Sequence, residues 1–334
     1  MSERLLIPRD LTEPAPLAPG AVHCRLNGQS MGTTWSVQAM LAPQGASQHD
    51  VLQAVQAPLA LVIAQMSTWQ ADSLLSQYNQ APAGSWHTLP PPFLTVLDAA
   101  LTMAADSQGA FDPTIGPLVN LWGFGPDPVR GDTLPTAAQL QQARARCGWQ
   151  RIALDRMAGR VLQPGGAYLD FSGIAKGYAV DLVAQALRSL GCRSYLIDIG
   201  GELSGLGVKP DGQPWWVELE RPGAQDHAVL RLALHGLSVA TSGDYRRFFE
   251  HAGRRYAHTI DPRSGEPLLQ APVSVTVLHR QCMVADALAT ALTVLGVEEG
   301  MAFARQRNIA ALFLHHSAGG LQERMTPALA AMLD

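Results

Sequence analysis

The stretch at 170–181 reads Asp-Phe-Ser-Gly-Ile-Ala-Lys-Gly-Tyr-Ala-Val-Asp and crowds Ser172, Gly173, Ala175 and Gly177 around one lysine, Lys176. Downstream, Ile174, Tyr178, Leu182, Val183, Ala186, Leu187 and Leu190 recur at helical spacing, and Gly191 supplies a stop signal. The spacing predicts a tight turn entering an amphipathic helix with Lys176 in its first turn. A cation there sits on the positive end of the helix dipole, which is mildly unfavourable. An anion at the same place makes the position favourable, because backbone N–H groups, dipole and ammonium then point at it together. Gly and Ser also let a phosphate approach the backbone closely. The alternative is a solvated lysine on an ordinary helix.

Working outward, 194–207 (SYLIDIGGELSGLG) predicts a buried strand, a Gly-Gly bend and a return strand, with 215–220 and 229–234 continuing the sheet. Toward the N-terminus, 22–40 reads as a hairpin around Asn27-Gly28, and 49–66 as a helix kinked or divided by Pro58. A polar loop with a helical turn follows at 67–79, then a proline-started helix at 90–107. The Gly/Pro-rich segment 109–128 carries Phe111, Trp122 and Phe124, which suits a shaped binding loop better than a linker. A short helix at 136–147, closed by Gly148, precedes two short strands within 152–168. A second hairpin spans 239–265 (YRRFFE, the turn HAG, RRYAHTI). It is followed by a strand at 273–278, helices at 282–295 and 298–306 separated by Gly296, and a final strand at 309–315. Helices and strands mix without strict βαβ alternation, which favours α+β with mixed, largely antiparallel sheets over a doubly wound sheet. Residues 1–20 read as an extended tail and 21–334 as the folded domain.

With 334 residues, 47% apolar and 16% charged, the chain can bury a large core. A net charge of −4 and the lack of a Lys/Arg run speak against nucleic acid as a partner. No run approaches the ~18 apolar residues of a membrane span. The first twenty residues hold four prolines and no apolar signal core, so cytoplasmic residence is the expectation. The four cysteines, Cys24, Cys147, Cys192 and Cys282, form no C-x-x-C and are expected as free thiols.

Three positions carry possible chemistry. Asp286 and Thr290 stand four apart on a helix that is apolar nearly all round, so they share a face. A carboxylate and a hydroxyl there are hard oxygens suited to Mg²⁺; the alternative is a helix-interior Asp capping a neighbouring loop. His258, in RRYAHTID, is read on a strand sharing a face with Tyr256 and Ile260, either as a general base or as a satisfied, partly buried histidine. Asp112, in FDPTIG, either accepts hydrogen bonds from a ligand or caps a turn beside Pro113. No G-x-x-x-x-G-K-[ST] loop, Rossmann fingerprint or G-x-S-x-G elbow is present.

Seven stretches, MGTTWSV, FDPTIGPLVNLWGFGP, DFSGIAKGYAVD, DIGGEL, VATSGDYRRFFE, YAHTIDPRSGEP and VADALATAL, occur in an order that resembles the FAD:protein FMN transferase (ApbE) family, from about Met31 to Gly296. The resemblance implies a single two-lobed domain. It implies Mg²⁺-dependent transfer of FMN from FAD onto a Thr or Ser hydroxyl of a target flavoprotein, through a phosphoester bond and with release of AMP. It further implies that Asp286 and Thr290 ligate the metal together with the backbone carbonyl of Gly173. Lys176, Met31, Asp112, Leu74, Leu75 and Ser76 correspond to FAD-contacting positions. His258 corresponds to a FAD-site histidine that deprotonates the acceptor. Many members are exported, so a periplasmic site is the alternative location. Trp69 stands where relatives often carry a smaller aromatic ring. The competing functions are an FAD pyrophosphatase, in which water replaces the acceptor and FMN and AMP are freed, and a non-catalytic flavin-binding protein.

Overall fold

A computed structural model describes residues 3–9, 11–126, 133–222, 229–243, 247–269, 271–318 and 320–334. The expected loop residues Asp127 and Pro128, and Asp244, Tyr245 and Arg246 of the VATSGDYRRFFE stretch, lie outside the described residues.

Strand β1 (Glu3–Leu6) lies within the stretch expected as a tail, and its Leu6 is fully buried. Strands β2 (Val22–Ser30) and β3 (Thr33–Leu41) form the first hairpin with Ser30 opposite Thr33, so the turn is Met31-Gly32, not Asn27-Gly28. Both turn residues have positive φ, 53° and 70°, as a two-residue hairpin turn of the right twist demands. Gly28 instead sits opposite Trp35, whose ring a Cβ would meet at 2.7 Å. Helix α1 (Gln48–Met66) runs as one helix through Pro58, so of the expected kink or division, the division does not occur. Its stripe Val51, Val55, Leu59, Val62 and Met66 is buried, and that burial outweighs the one hydrogen bond that proline forgoes.

Helix α2 (Leu74–Gln80) is capped by Ser73. Strand β4 (Trp86–Thr88), helix α3 (Pro91–Asp106), helix α4 (Gly116–Leu121) and helix α5 (Ala137–Arg144) follow. The last opens on a capping box between Thr136 and Gln139. Strands β5 (Leu154–Asp155) and β6 (Arg160–Leu162) complete a small sheet in the order β4-β6-β5.

Helix α6 (Ala175–Ser189) leads to β7 (Tyr195–Ile199) and β8 (Glu202–Leu206), joined by Gly200-Gly201, both at positive φ. Strands β9 (Trp215–Glu218) and β10 (Val229–Leu234) do not continue that sheet but form a separate one with β1, in the order β1-β10-β9. Strand β11 (Leu237–Gly243) precedes the hairpin β12 (Phe248–His251) and β13 (Arg254–Ala257), which turns at Ala252-Gly253, and the short pair β14 (Ile260–Asp261) and β15 (Glu266–Pro267). Strand β16 (Ser274–His279) enters helix α7 (Cys282–Gln306), where Gly296 (φ 75°, ψ −176°) breaks the helix as the sequence predicted. Strand β17 (Ala310–Ser317) is not the last, because β18 (Gly320–Met325) and helix α8 (Pro327–Ala330) follow.

The chain divides into two compact units. The first comprises Met1–Ala60, Lys176–Gly243 and Pro272–Asp334, and holds an eight-stranded sheet in the order β18-β17-β16-β11-β8-β7-β3-β2 with every pair antiparallel. Helix α7 packs on β11 and β16. By length and composition α7 is the one described helix that could cross a bilayer, yet Gly296 interrupts it and 56% of its apolar window is buried within the fold. The second unit, Leu61–Ala175 and Asp244–Ala271, has a core of Leu118, Leu121, Trp122, Phe124, Tyr256 and Ile260. All four cysteines are free thiols.

Candidate active site

The first unit holds Met31, Lys176, Asp286 and Thr290, from three stretches of sequence: the β2–β3 turn, α6 and α7. Lys176 is the second residue of α6, as predicted, but it is not a solvated lysine: its ammonium pairs with Glu202, the first residue of β8, which is buried. A protein carboxylate thus relieves the unfavourable placement of the cation at a helix N-terminus.

Gly177 lets α6 and α7 touch. A Cβ there would meet the Cys282 carbonyl oxygen at 2.4 Å and the Asp286 Cβ at 2.8 Å. The Gly177 N–H donates to Asp286 Oδ2 at 3.0 Å. A regular helix would send that N–H to the carbonyl of Gly173, and among the described residues the Gly173 carbonyl accepts no hydrogen bond. Asp181, one turn further along α6, accepts from the N–H groups of Cys282 (2.8 Å) and Met283 (2.9 Å), so it caps α7 from outside; Gln281, at the N-cap position, makes no side-chain cap.

Asp286 is 6% exposed. Burial pushes its carboxyl above the usual carboxylate range, opposed by the Lys176 charge and the Gly177 N–H. Among the described residues its second oxygen accepts no hydrogen bond, and the Thr290 hydroxyl makes none. One oxygen of Asp286 thus caps the start of α6, as the alternative reading has it, and among the described residues the other is left over. No group of three or more His, Cys, Asp and Glu among the described residues is arranged for a metal. The leftover oxygens fit a hard ion that takes one or two carboxylates and fills its shell with water and phosphate.

Met31 holds φ 53° in the hairpin turn, where a non-glycine residue is strained. That turn lies at the same end of the sheet as Gly200-Gly201: Gly200 N–H donates to the Thr34 carbonyl at 3.0 Å, and a Gly200 Cβ would meet Thr33 at 2.8 Å.

The second unit holds Leu74, Leu75, Ser76, Asp112, Gly173 and His258. The 67–76 loop is tied by its own serines. Ser67 Oγ accepts from the N–H groups of Trp69 and Gln70, and the hydroxyls of Ser73 and Ser76 donate to the Ser67 carbonyl. Leu75 is fully buried, so only its backbone can meet a ligand, whereas Leu74 and Trp69 are exposed. Asp112 Oδ1 accepts from Thr114 N (2.8 Å) and Oγ1 (2.6 Å), and Oδ2 from Trp149 N (3.2 Å), so turn capping is the role the geometry displays. Burial pushes its carboxyl up despite these bonds.

His258 does not sit on a strand but in the bend between β13 and β14. Its backbone N–H and its Nδ1–H both donate to the Arg247 carbonyl at 3.1 Å. A carbonyl only accepts, so Nδ1 carries the proton and Nε2 the lone pair of the neutral ring. Phe124 meets the His258 ring edge-on, and Phe249 stacks on Tyr256, which stacks on Trp122. Trp122 and Phe124, expected to shape a binding pocket, are buried core side chains that support this bend; Trp122 Nε1–H donates to the Gly265 carbonyl at 2.8 Å. Sequence reading missed Glu202, Asp181 and Arg247, since each acts on a partner brought to it by folding.

The sequence profile of the ApbE family matches residues 31–313. A Vibrio cholerae protein described as FAD:protein FMN transferase is 40% identical over 91% of this chain and 90% of its own length. A Haemophilus influenzae protein of the same description is 34% identical over 92% of this chain and 91% of its own. The apo crystal structure of the Pseudomonas stutzeri flavinyl transferase ApbE superimposes with a TM-score of 0.87 at 40% identity, covering 93% of this chain and 97% of that one. This chain belongs to the ApbE family.

Proposed function

We propose that this chain is a flavin transferase, which moves FMN from FAD onto a Thr or Ser hydroxyl of a target flavoprotein with Mg²⁺ and releases AMP, and that 21–334 is its transferase domain. The relatives' shared description as FAD:protein FMN transferases supports the reaction class. The observation that carries the chemistry is the buried Asp286 beside the Lys176 ammonium and a turn from Thr290, with one Asp286 oxygen and the Thr290 hydroxyl unbonded among the described residues.

Asp286 and Thr290 would hold the metal, with the Gly173 carbonyl as a further oxygen. Bound there, Mg²⁺ would neutralise the diphosphate and the charge developing on departing AMP. Lys176, held by Glu202, is the proposed lysine contact to FAD. His258 Nε2 takes the proton of the acceptor hydroxyl as its oxygen bonds to the FMN phosphorus and the bond from that phosphorus to AMP breaks. Such proton transfer contributes about 10²–10⁴-fold in rate. Met31, Leu74, the Leu75 backbone, Ser76 and Asp112 are the proposed FAD contacts.

The test is incubation with FAD and Mg²⁺, with and without a co-expressed candidate flavoprotein, read by mass spectrometry of the acceptor and by AMP release. An FMN adduct that disappears with Asp286→Ala in a folded protein supports the reading. AMP and free FMN without an adduct support the pyrophosphatase, and FAD binding without turnover supports the non-catalytic alternative.

A further inference from the structure

The neighbourhood of Asp286 holds more negative charge than positive. Asp286, Asp181 and Glu202 all act on the buried Cys282 thiol, and among the described residues Lys176 is the one cation acting there with them. Both oxygens of Asp181 are spent on the N–H groups that open α7. Two buried carboxylates, Glu202 at 2% exposure and Asp286 at 6%, thus both feel the Lys176 ammonium. Lys176 interacts electrostatically with Asp286 but forms its ion pair with Glu202.

That choice matters for a cation. An ammonium seated on Asp286 would occupy the oxygen that the Gly177 N–H leaves over, and a divalent ion would have to displace it. Glu202 is well anchored to prevent this. It opens β8 directly after Gly200-Gly201, a bend fixed by the Gly201 N–H donating to Asp198 Oδ1 at 2.9 Å and by the β7–β8 register of Ile199 with Glu202.

We infer that Glu202 is a positioning residue: by holding the Lys176 ammonium it keeps that cation off Asp286 and leaves the Asp286–Thr290 oxygens open to a divalent ion. The inference rests on the metal reading above. It makes Lys176 and Glu202 a unit, so that the lysine is harmless to metal binding only while its glutamate is present.

The test is Mn²⁺ titrated into the full-length chain, followed by loss of the free-ion EPR signal. Glu202→Gln should weaken Mn²⁺ binding by about tenfold, and Lys176→Met in that background should restore it to within about threefold of the parent. Lys176→Met alone should change it by less than about threefold, because the charge it removes is already neutralised. This last variant carries the test by itself if the Glu202 variants fail to fold: a gain of about tenfold or more overturns the inference. Equal effects of Lys176→Met in both backgrounds also overturn it, since they mean plain additive charge effects with no switching of the ammonium. Unchanged binding in Glu202→Gln overturns it as well. A parent chain that takes up no Mn²⁺ fails differently, by removing the metal reading beneath it.

Discussion

The backbone N–H of Gly177 donates to Asp286 Oδ2 at 3.0 Å, across 109 residues of chain. This one bond joins the glycine-rich entry of α6 to the buried carboxylate of α7. It requires a residue without a side chain, because a Cβ at 177 would lie 2.4 Å from the Cys282 carbonyl oxygen.

Gly177→Ala is therefore expected to force the two helices apart. Overpacking of this kind costs about 1–3 kcal/mol. Urea denaturation measures it, and the same variant should bind Mn²⁺ more weakly because Asp286 moves with α7. Full stability in Gly177→Ala would mean that the helix contact is looser than the structure shows.

Met31→Gly separates fold from binding. The left-handed conformation at residue 31 (φ 53°) is unstrained for glycine. The variant is expected to gain roughly 1 kcal/mol at that position while losing FAD affinity. Thermal unfolding without ligand and FAD titration followed by fluorescence read the two effects. Unchanged FAD affinity would remove Met31 from the proposed contacts.

Asp112 has a pH signature. Burial raises its carboxyl in the folded protein, so folding takes up a proton between the ordinary unfolded value near ~3.9 and the raised folded value. Its contribution to stability is fullest below that unfolded value and falls as pH rises through the folded one. Asp112→Asn should remove this slope, seen by comparing urea midpoints of parent and variant from acid to neutral pH. Parallel curves for the two proteins would mean that the carboxyl titrates normally.

His258→Ala is expected to lower FMN transfer by about 10²–10⁴-fold. FAD binding should be affected much less, because the proposed role is to accept a proton. Single-turnover assays with saturating FAD, beside an FAD titration, separate the two. A variant that loses FAD affinity but turns over normally would make His258 a binding residue.

Much of this was legible in the linear chain because it depends on local physics. Gly191, Gly296 and the Gly200-Gly201 bend mark element ends through conformations that neighbouring residues do not alter. The spacing of Asp286 and Thr290 places them on one helical face wherever that helix packs. The errors came where tertiary packing overrode local preference. Asn27-Gly28 has turn chemistry, but Gly28 is needed under Trp35, and the strained Met31 takes the turn. Pro58 could have divided its helix, but a buried stripe holds α1 in one piece.

From its order of residues alone the chain determined an antiparallel-rich α+β fold, its principal helices, the paired oxygens of α7 and the lysine at the mouth of α6. Only folding decided that Glu202 would hold that lysine, that Asp181 would cap a helix 101 residues away, and that Arg247 would set which nitrogen of His258 carries the proton. The reason is the reach of the forces involved. Propensity and periodicity act over a few residues, whereas a buried charge is assigned its partner by whatever the packed interior brings within contact distance.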